Sequence, residues 1–278
     1  MIMDKLQSAM DRFKEQQHAA PAPPRSDRSA ASGPEVMYSR TRSVAIDEDV
    51  LQRHRILTGH HSPFADAYKI LRTQVLHRLQ ENGWNMLGVT SPRDGEGKTL
   101  TSINLAIALA SEPTQTVLLV DADLRAPRIH EEFGLIPGEG LVECLLDGRS
   151  VEDVLFHPGL GRLIVLQGGR VTKQSAEVLT SPRMTALVKE LKHRYPSRVV
   201  VFDLPPVLDR PDVLAFSPRL DALLLVVEDS KTSGPDLQQA IQVLKGGAPI
   251  LGTVLNKAGR DQLSLSKVKR ATAVEQER

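Results

Sequence analysis

Thr90-Ser-Pro-Arg-Asp-Gly-Glu-Gly-Lys-Thr99 decides how this chain is read. The apolar run Met86–Thr90 leads into it, and the Ala-rich, helix-forming stretch Thr99–Ser111 leads out. Strand, glycine-rich turn and helix, in that order, present backbone N–H groups to a phosphate. Gly95 and Gly97 let the chain curl around the anion, and the helix start behind them adds a partial positive charge. The candidate nucleotide-binding residues of the turn are Asp94, Gly95, Glu96, Gly97, Lys98, Thr99 and Leu100. Lys98 is long enough to reach the β and γ phosphates, and Thr99 carries a hydroxyl for Mg²⁺. Pro92 stands where the general motif has its first glycine.

Further along, two more apolar runs end in carboxylates. In Val117-Leu-Leu-Val-Asp-Ala-Asp-Leu-Arg125, Asp121 and Asp123 are two residues apart and share a face in extended geometry. Carboxylates at the C-terminal end of a buried strand face the crevice where open α/β sheets bind ligands. Two of them beside phosphates suit Mg²⁺, which takes one or two carboxylates plus phosphate oxygens. One can also accept a proton from an attacking hydroxyl. Arg198-Val-Val-Val-Phe-Asp-Leu-Pro-Pro206 again ends a buried run in a carboxylate, Asp203, suited to support the metal and its water. Thr99, Asp121, Asp123 and Asp203 are thus the candidate metal set, and Lys98, Asp121 and Asp123 the candidate catalytic groups.

These runs belong to a longer alternation. Strands are expected at Met86–Thr90, Val117–Val120, Leu163–Leu166, Val199–Phe202, Ala222–Val227 and Ile250–Leu255. Helices are expected at Thr99–Ser111, Pro127–Phe133, Gly140–Leu146, Ser181–Tyr195 and Pro235–Lys245. Strands apolar throughout are buried on both faces, and their alternation with helices predicts an α/β fold with a doubly wound, mainly parallel sheet.

Composition bounds the remainder. The chain has 278 residues, 41% hydrophobic and 25% charged, which excludes global disorder. A formal charge of +1 supplies no overall drive toward nucleic acid, and none is expected as a partner. The single cysteine, Cys144, has no internal disulfide partner. His60-His61 and the other scattered histidines have no metal-ligand spacing with it. The longest apolar runs are far short of the roughly 20 residues a membrane span requires. Three regions are expected: an amphipathic helix (stripe Met3, Leu6, Met10, Phe13) with a Pro/Ala/Ser-rich linker over 1–37, a globular body over 38–260, and a polar tail over 261–278. That tail carries a small basic patch, Lys267, Lys269 and Arg270.

Taken together and in this order, the phosphate loop, Asp121-Ala-Asp123-Leu-Arg125 and Asp203-Leu-Pro205-Pro206 resemble the bacterial tyrosine kinases, P-loop proteins unrelated to eukaryotic kinases. The resemblance spans about residues 55 to 258 and is strongest to soluble members encoded with exopolysaccharide synthesis and export systems. It implies a P-loop NTPase-like fold, ATP and Mg²⁺ as cofactors, and transfer of the γ-phosphoryl to protein tyrosine, or ATP hydrolysis, in control of polysaccharide chain length, assembly and export. It also implies a membrane chain-length (co-polymerase) partner, a cytoplasmic location peripheral to the inner membrane, and a catalytic role for Arg125. Asp66-Ala-Tyr-Lys-Ile-Leu-Arg-Thr73 is similar to the helix that drives ring-like self-assembly there, making Asp66, Lys69 and Arg72 candidate oligomerisation residues. Gly252-Thr-Val-Leu-Asn-Lys257 resembles the strand end that sets an Asn amide, here Asn256, on the adenine.

The chain departs from that family's pattern in its tail, which has no tyrosine; the tyrosines are Tyr38, Tyr68 and Tyr195. The alternative is a switch ATPase of the partition and cell-division type, which carries an extra Lys early in the loop where this chain has Arg93.

Overall fold

Among the described residues eight strands form one sheet, the six longer ones rich in leucine and β-branched residues: β1 Arg42–Ser43, β2 Met86–Thr90, β3 Thr116–Asp121, β4 Phe156–His157, β5 Leu163–Leu166, β6 Arg198–Asp203, β7 Ala222–Glu228 and β8 Ile250–Asn256. The computed structural model describes residues 41–58, 64–194 and 197–259. The expected N-terminal helix and linker, the tail beyond residue 260, His60-His61, Tyr38 and Tyr195 lie outside them. The helices are α1 Glu48–Arg53, α2 Ala65–Asn82, α3 Lys98–Ala110, α4 Ile129–Glu132, α5 Leu141–Leu146, α6 Val151–Val154, α7 Ser175–Thr180, α8 Pro182–Arg194, α9 Asp212–Phe216 and α10 Gly234–Leu244.

The strand order is β1-β4-β5-β3-β6-β2-β7-β8, parallel except between β4 and β5. Alternation along each strand feeds two apolar layers. Val117 and Leu119 of β3 face α2 and α3, together with Leu87, Val201 and Leu224. Leu118 and Val120 face α5, α7 and α8, together with Met86, Phe202 and Leu225. A sheet covered on both faces is the doubly wound arrangement the alternation predicts. All six expected strands form, Met86–Thr90 and Leu163–Leu166 at their expected bounds. β1 and β4 have two residues each, too short to leave a periodic signal.

α3 is buried from Lys98 to Ala110 except for half-buried Leu100, and packing on both sides accounts for its apolar run Leu105–Ala110. Its first residue follows Gly97, whose φ of 91° is open to glycine but strained for other residues. The chain therefore turns sharply from β2 into a helix whose first N–H groups point at the C-terminal edge of the sheet.

Candidate nucleotide site

The carboxylates expected from sequence meet because their strands are in register. β6 lies between β3 and β2, and Asp203 pairs with Asp121 on one side and with Val89 on the other. The exit of β6 then runs beside the glycine-rich loop: Leu204 N donates to Val89 O (2.9 Å), Val207 N to Ser91 O (2.8 Å) and Leu208 N to Pro92 O (3.1 Å). Thr90 Oγ1 closes the same seam by donating to Pro205 O at 2.6 Å.

Lys98 Nζ sits in this cluster, 2.9 Å from Asp123 Oδ2, and is only 5% exposed. Burial works against its ammonium, but Asp203, Asp123 and Asp121 outweigh it and hold its pKa above the usual lysine value. Asp121 is fully buried, its Oδ2 accepting from Arg128 N and Ile129 N at 3.0 Å each and its Oδ1 from Asp123 N at 3.3 Å. Burial, reinforced by the neighbouring Asp203, pushes its carboxyl up to about 8. Asp203 Oδ1 accepts from Ser102 Oγ at 2.9 Å, while its buried Oδ2 has no hydrogen-bond partner. Burial raises its pKa as well, against the pull of Lys98 and the Thr99 hydroxyl.

A buried carboxylate oxygen without a partner, beside the Thr99 and Ser102 hydroxyls, fits a hard cation that takes oxygen ligands. Among the described residues no cluster of three or more ligating side chains forms a self-contained metal site.

The other flank of the loop is held by β8. Asn256 Nδ2 donates to Glu96 O (2.9 Å), and Lys257 Nζ donates to Gly95 O (2.9 Å) while pairing with Glu228 at 2.9 Å. Gly97 is required here by space as well as by φ, since a Cβ on it would lie 2.1 Å from Asn256 Nδ2. Asn256 Oδ1 accepts from Lys257 N at 2.9 Å, so this amide is engaged with the loop and its own strand end. Glu96 is buried and turned back into the loop, accepting from Arg93 N at 2.9 Å and from the Thr232 hydroxyl. Asp94 is exposed, and Leu100 is half-buried against the α2-side core.

Two expected groups stand apart from the cluster. Arg125 Nε donates to Ser175 Oγ at 2.7 Å and lies 3.7 Å from Asp212, toward α7 and α9. On α2, Asp66 and Lys69 pair with each other at 2.9 Å on the surface, whereas Arg72 turns inward to Glu112 at 2.9 Å. Tyr68 packs beside them with its hydroxyl toward Asn104 and Thr101, and burial raises its pKa.

Sequence reading missed Arg210, whose NH1 reaches Asp123 Oδ1 at 2.7 Å. It also missed Ser102 on Asp203, and Asp209 and Asp236, each 2.9 Å from Arg93. Ser102 was findable, lying one turn past Lys98 on the same helix face. The loop residues have no spacing that marks them.

Comparison with known proteins gives the family. Residues 87–276 match the CobQ/CobB/MinD/ParA nucleotide binding domain. The tyrosine-protein kinase YwqD of Bacillus subtilis (strain 168) is 32% identical over 208 residues, 74% of this chain and 86% of YwqD. The chain belongs to the bacterial tyrosine-protein kinase family. The kinase domain of the Escherichia coli tyrosine kinase ETK superposes on this family member with a TM-score of 0.65 at 26% identity, covering 78% of this chain and 91% of that domain. EpsB of Ralstonia solanacearum is 31% identical over 195 residues, 70% of this chain but 26% of EpsB, so the chain matches about a quarter of that longer relative. In this chain the fold brings Lys98, Asp121, Asp123 and Asp203 together at the C-terminal ends of β3 and β6.

Proposed function

We propose that this chain binds ATP with Mg²⁺ at Gly95–Thr99 and transfers the γ-phosphoryl to a protein hydroxyl, tyrosine by family. The observation that carries this is the convergence of Lys98, three strand-end carboxylates and a free buried oxygen of Asp203 beside the loop. Thr99, Asp123 and Asp203 would hold the metal, with Asp121 next to them. When bound, Mg²⁺ neutralises charge on the phosphate oxygens.

The protein's own groups do the positioning. The α3 N-terminus and the loop N–H groups cradle the phosphates. Lys98 leaves Asp123 to meet the transferred group, and electrostatic placement of this kind supplies most of the catalysis in phosphoryl transfer. Asp121, its pKa raised to about 8, would take the acceptor's proton from its ionised form, which grows as the pH rises toward that value. Tyr68 is packed, so the acceptor would come from another chain or from outside the described residues. By resemblance, the setting is exopolysaccharide chain-length control and export. The protein would be cytoplasmic, drawn to the inner membrane by a co-polymerase partner and assembled as a homo-oligomer. Assembly through α2 would require Arg72 to exchange Glu112 for a neighbouring copy.

A second reading, a switch ATPase without protein phosphorylation, is favoured by the tyrosine-free tail, Asp261–Arg278. Incubation with Mg²⁺ and γ-labelled ATP separates the two. Label on tyrosine, lost in Asp121→Ala and Lys98→Met, is the expected result. Released phosphate with no protein label would replace the kinase by the switch, and label persisting in Lys98→Met would defeat the site assignment.

A further inference from the structure

We infer that Arg210 contacts the terminal phosphoryl of a bound nucleoside triphosphate and lets the site distinguish triphosphate from diphosphate. The inference rests on the nucleotide-binding reading above and adds a residue that neither the loop motif nor the carboxylate motifs contain.

Position comes first. Asp123 uses one oxygen for Lys98 Nζ (2.9 Å) and the other for Arg210 NH1 (2.7 Å), so the two cations are one carboxylate apart. Lys98 is the group that reaches the β and γ phosphates. The sheet order then gives the direction of the phosphate chain. The loop leaves β2; Asn256 on β8 flanks it on one side, and Asp203 on β6 with Asp121 on β3 flanks it on the other. If the base lies toward β8, the last phosphate lies toward β6 and β3, where Arg210 stands.

The backbone carrying Arg210 is set against the loop. Val207 and Leu208 donate to Ser91 O and Pro92 O, and the neighbouring Asp209 accepts from Asp94 N at 3.3 Å. The guanidinium is therefore delivered by a segment that follows the loop.

Availability comes second. Among the described residues Asp123 is the only partner of the Arg210 guanidinium, and the side chain is 23% exposed. A planar fork with unused N–H donors suits bidentate recognition of phosphate. Arg125, the arginine of the family motif, is by contrast occupied by Ser175 and Asp212. Terminal phosphate oxygens would offer Lys98 and Arg210 new anionic partners, and Asp123 would be released from both. A diphosphate would leave the Arg210–Asp123 pair in place.

The test is a pair of titrations of the full chain with fluorescent ADP and the fluorescent β,γ-imido analogue of ATP, each with Mg²⁺. Arg210→Ala should weaken the triphosphate analogue roughly tenfold or more, the scale of a lost charge-assisted hydrogen bond. ADP binding should stay within about twofold, and Arg210→Lys should fall between. An unchanged triphosphate-to-diphosphate ratio in a folded Arg210→Ala protein overturns the inference. So does equal weakening of both nucleotides, which would make Arg210 only a prop for Asp123. If the wild-type chain binds neither nucleotide, the functional reading fails and takes this one with it. Should the variants not fold, the wild-type chain still decides: phenylglyoxal labelling of the Arg210 peptide should be blocked by the triphosphate analogue and not by ADP, and equal labelling in both overturns the inference.

Discussion

The phosphate loop is gripped from two sides by the same device, a register-matched pair of strand-end polar residues, and the two grips work differently. On one side Asp121 of β3 faces Asp203 of β6, both buried. On the other, Glu228 of β7 faces Asn256 of β8, both part-exposed at the sheet's edge. Burial makes the first pair an electrostatic element, because unscreened carboxylates there shift one another and Lys98. Exposure leaves the second pair to act by shape and backbone hydrogen bonds: Asn256 fills the space where Gly97 has no Cβ, and Lys257 caps Gly95 O. Interior changes should therefore read out in pH and charge, and edge changes in steric fit.

The largest effect is expected from the edge grip. Gly97→Ala places a methyl 2.1 Å from Asn256 Nδ2 at a φ of 91°. Strain of about 1–3 kcal/mol for a non-glycine residue there, added to the clash, should lower nucleotide affinity about 100-fold or more. Gly148→Ala is the control. Its φ is 76° but no atom lies within 4 Å of the added carbon, so it should cost stability of about 1 kcal/mol and leave binding intact. The double variant Gly97→Ala/Asn256→Ala should recover part of the loss by titration. Full retention of binding in Gly97→Ala alone would mean the edge does not shape the loop.

The interior grip should show itself as a pH slope. Asp121 keeps its proton in the folded chain up to about pH 8, whereas in the unfolded chain it ionises near 3.8. Between those values the folded state binds more protons, so stability from this group falls as pH rises and levels off above about 8. In EDTA, Asp121→Asn should flatten that slope and unfold later than wild type at pH 8, by on the order of 2 kcal/mol. Asn still accepts from Arg128 N and Ile129 N, which keeps the α4 entry intact. Parallel urea midpoints for the two proteins from pH 5 to 8 would show that Asp121 is ionised in the fold.

Why these two grips differ also explains what the sequence disclosed. The strands and α3 were legible because buried parallel strands are apolar throughout, and the Asp residues ending two of them break that pattern conspicuously. Arg210, Asp209 and Asp236 were not legible. They lie on loops and a helix start, and they meet Asp123 and Arg93 only after crossovers of 87, 116 and 143 residues. Arg125 and Arg72 show the converse. Their motif positions were plain, but which neighbour each side chain prefers, Ser175 or a phosphate, Glu112 or another copy, depends on packing that spacing does not encode.

The smallest effect is expected where charge is exposed. Arg93 bridges Asp209 and Asp236 at 2.9 Å each, with its side chain 47% exposed. The two carboxylates hold its pKa up, and it holds that of Asp236 down. Pairs open to water contribute little. Arg93→Ala should alter nucleotide affinity by less than about fivefold, and the difference should shrink further at 1 M salt, where the Debye length is about 3 Å. The same variant bears on the choice between kinase and switch. An arginine that served across a dimer would be needed for turnover, and its loss would abolish phosphate release while leaving binding intact. An arginine satisfied within its own chain by Asp209 and Asp236 predicts near-normal turnover, so turnover in Arg93→Ala measures whether this corner of the loop faces inward or toward a second copy.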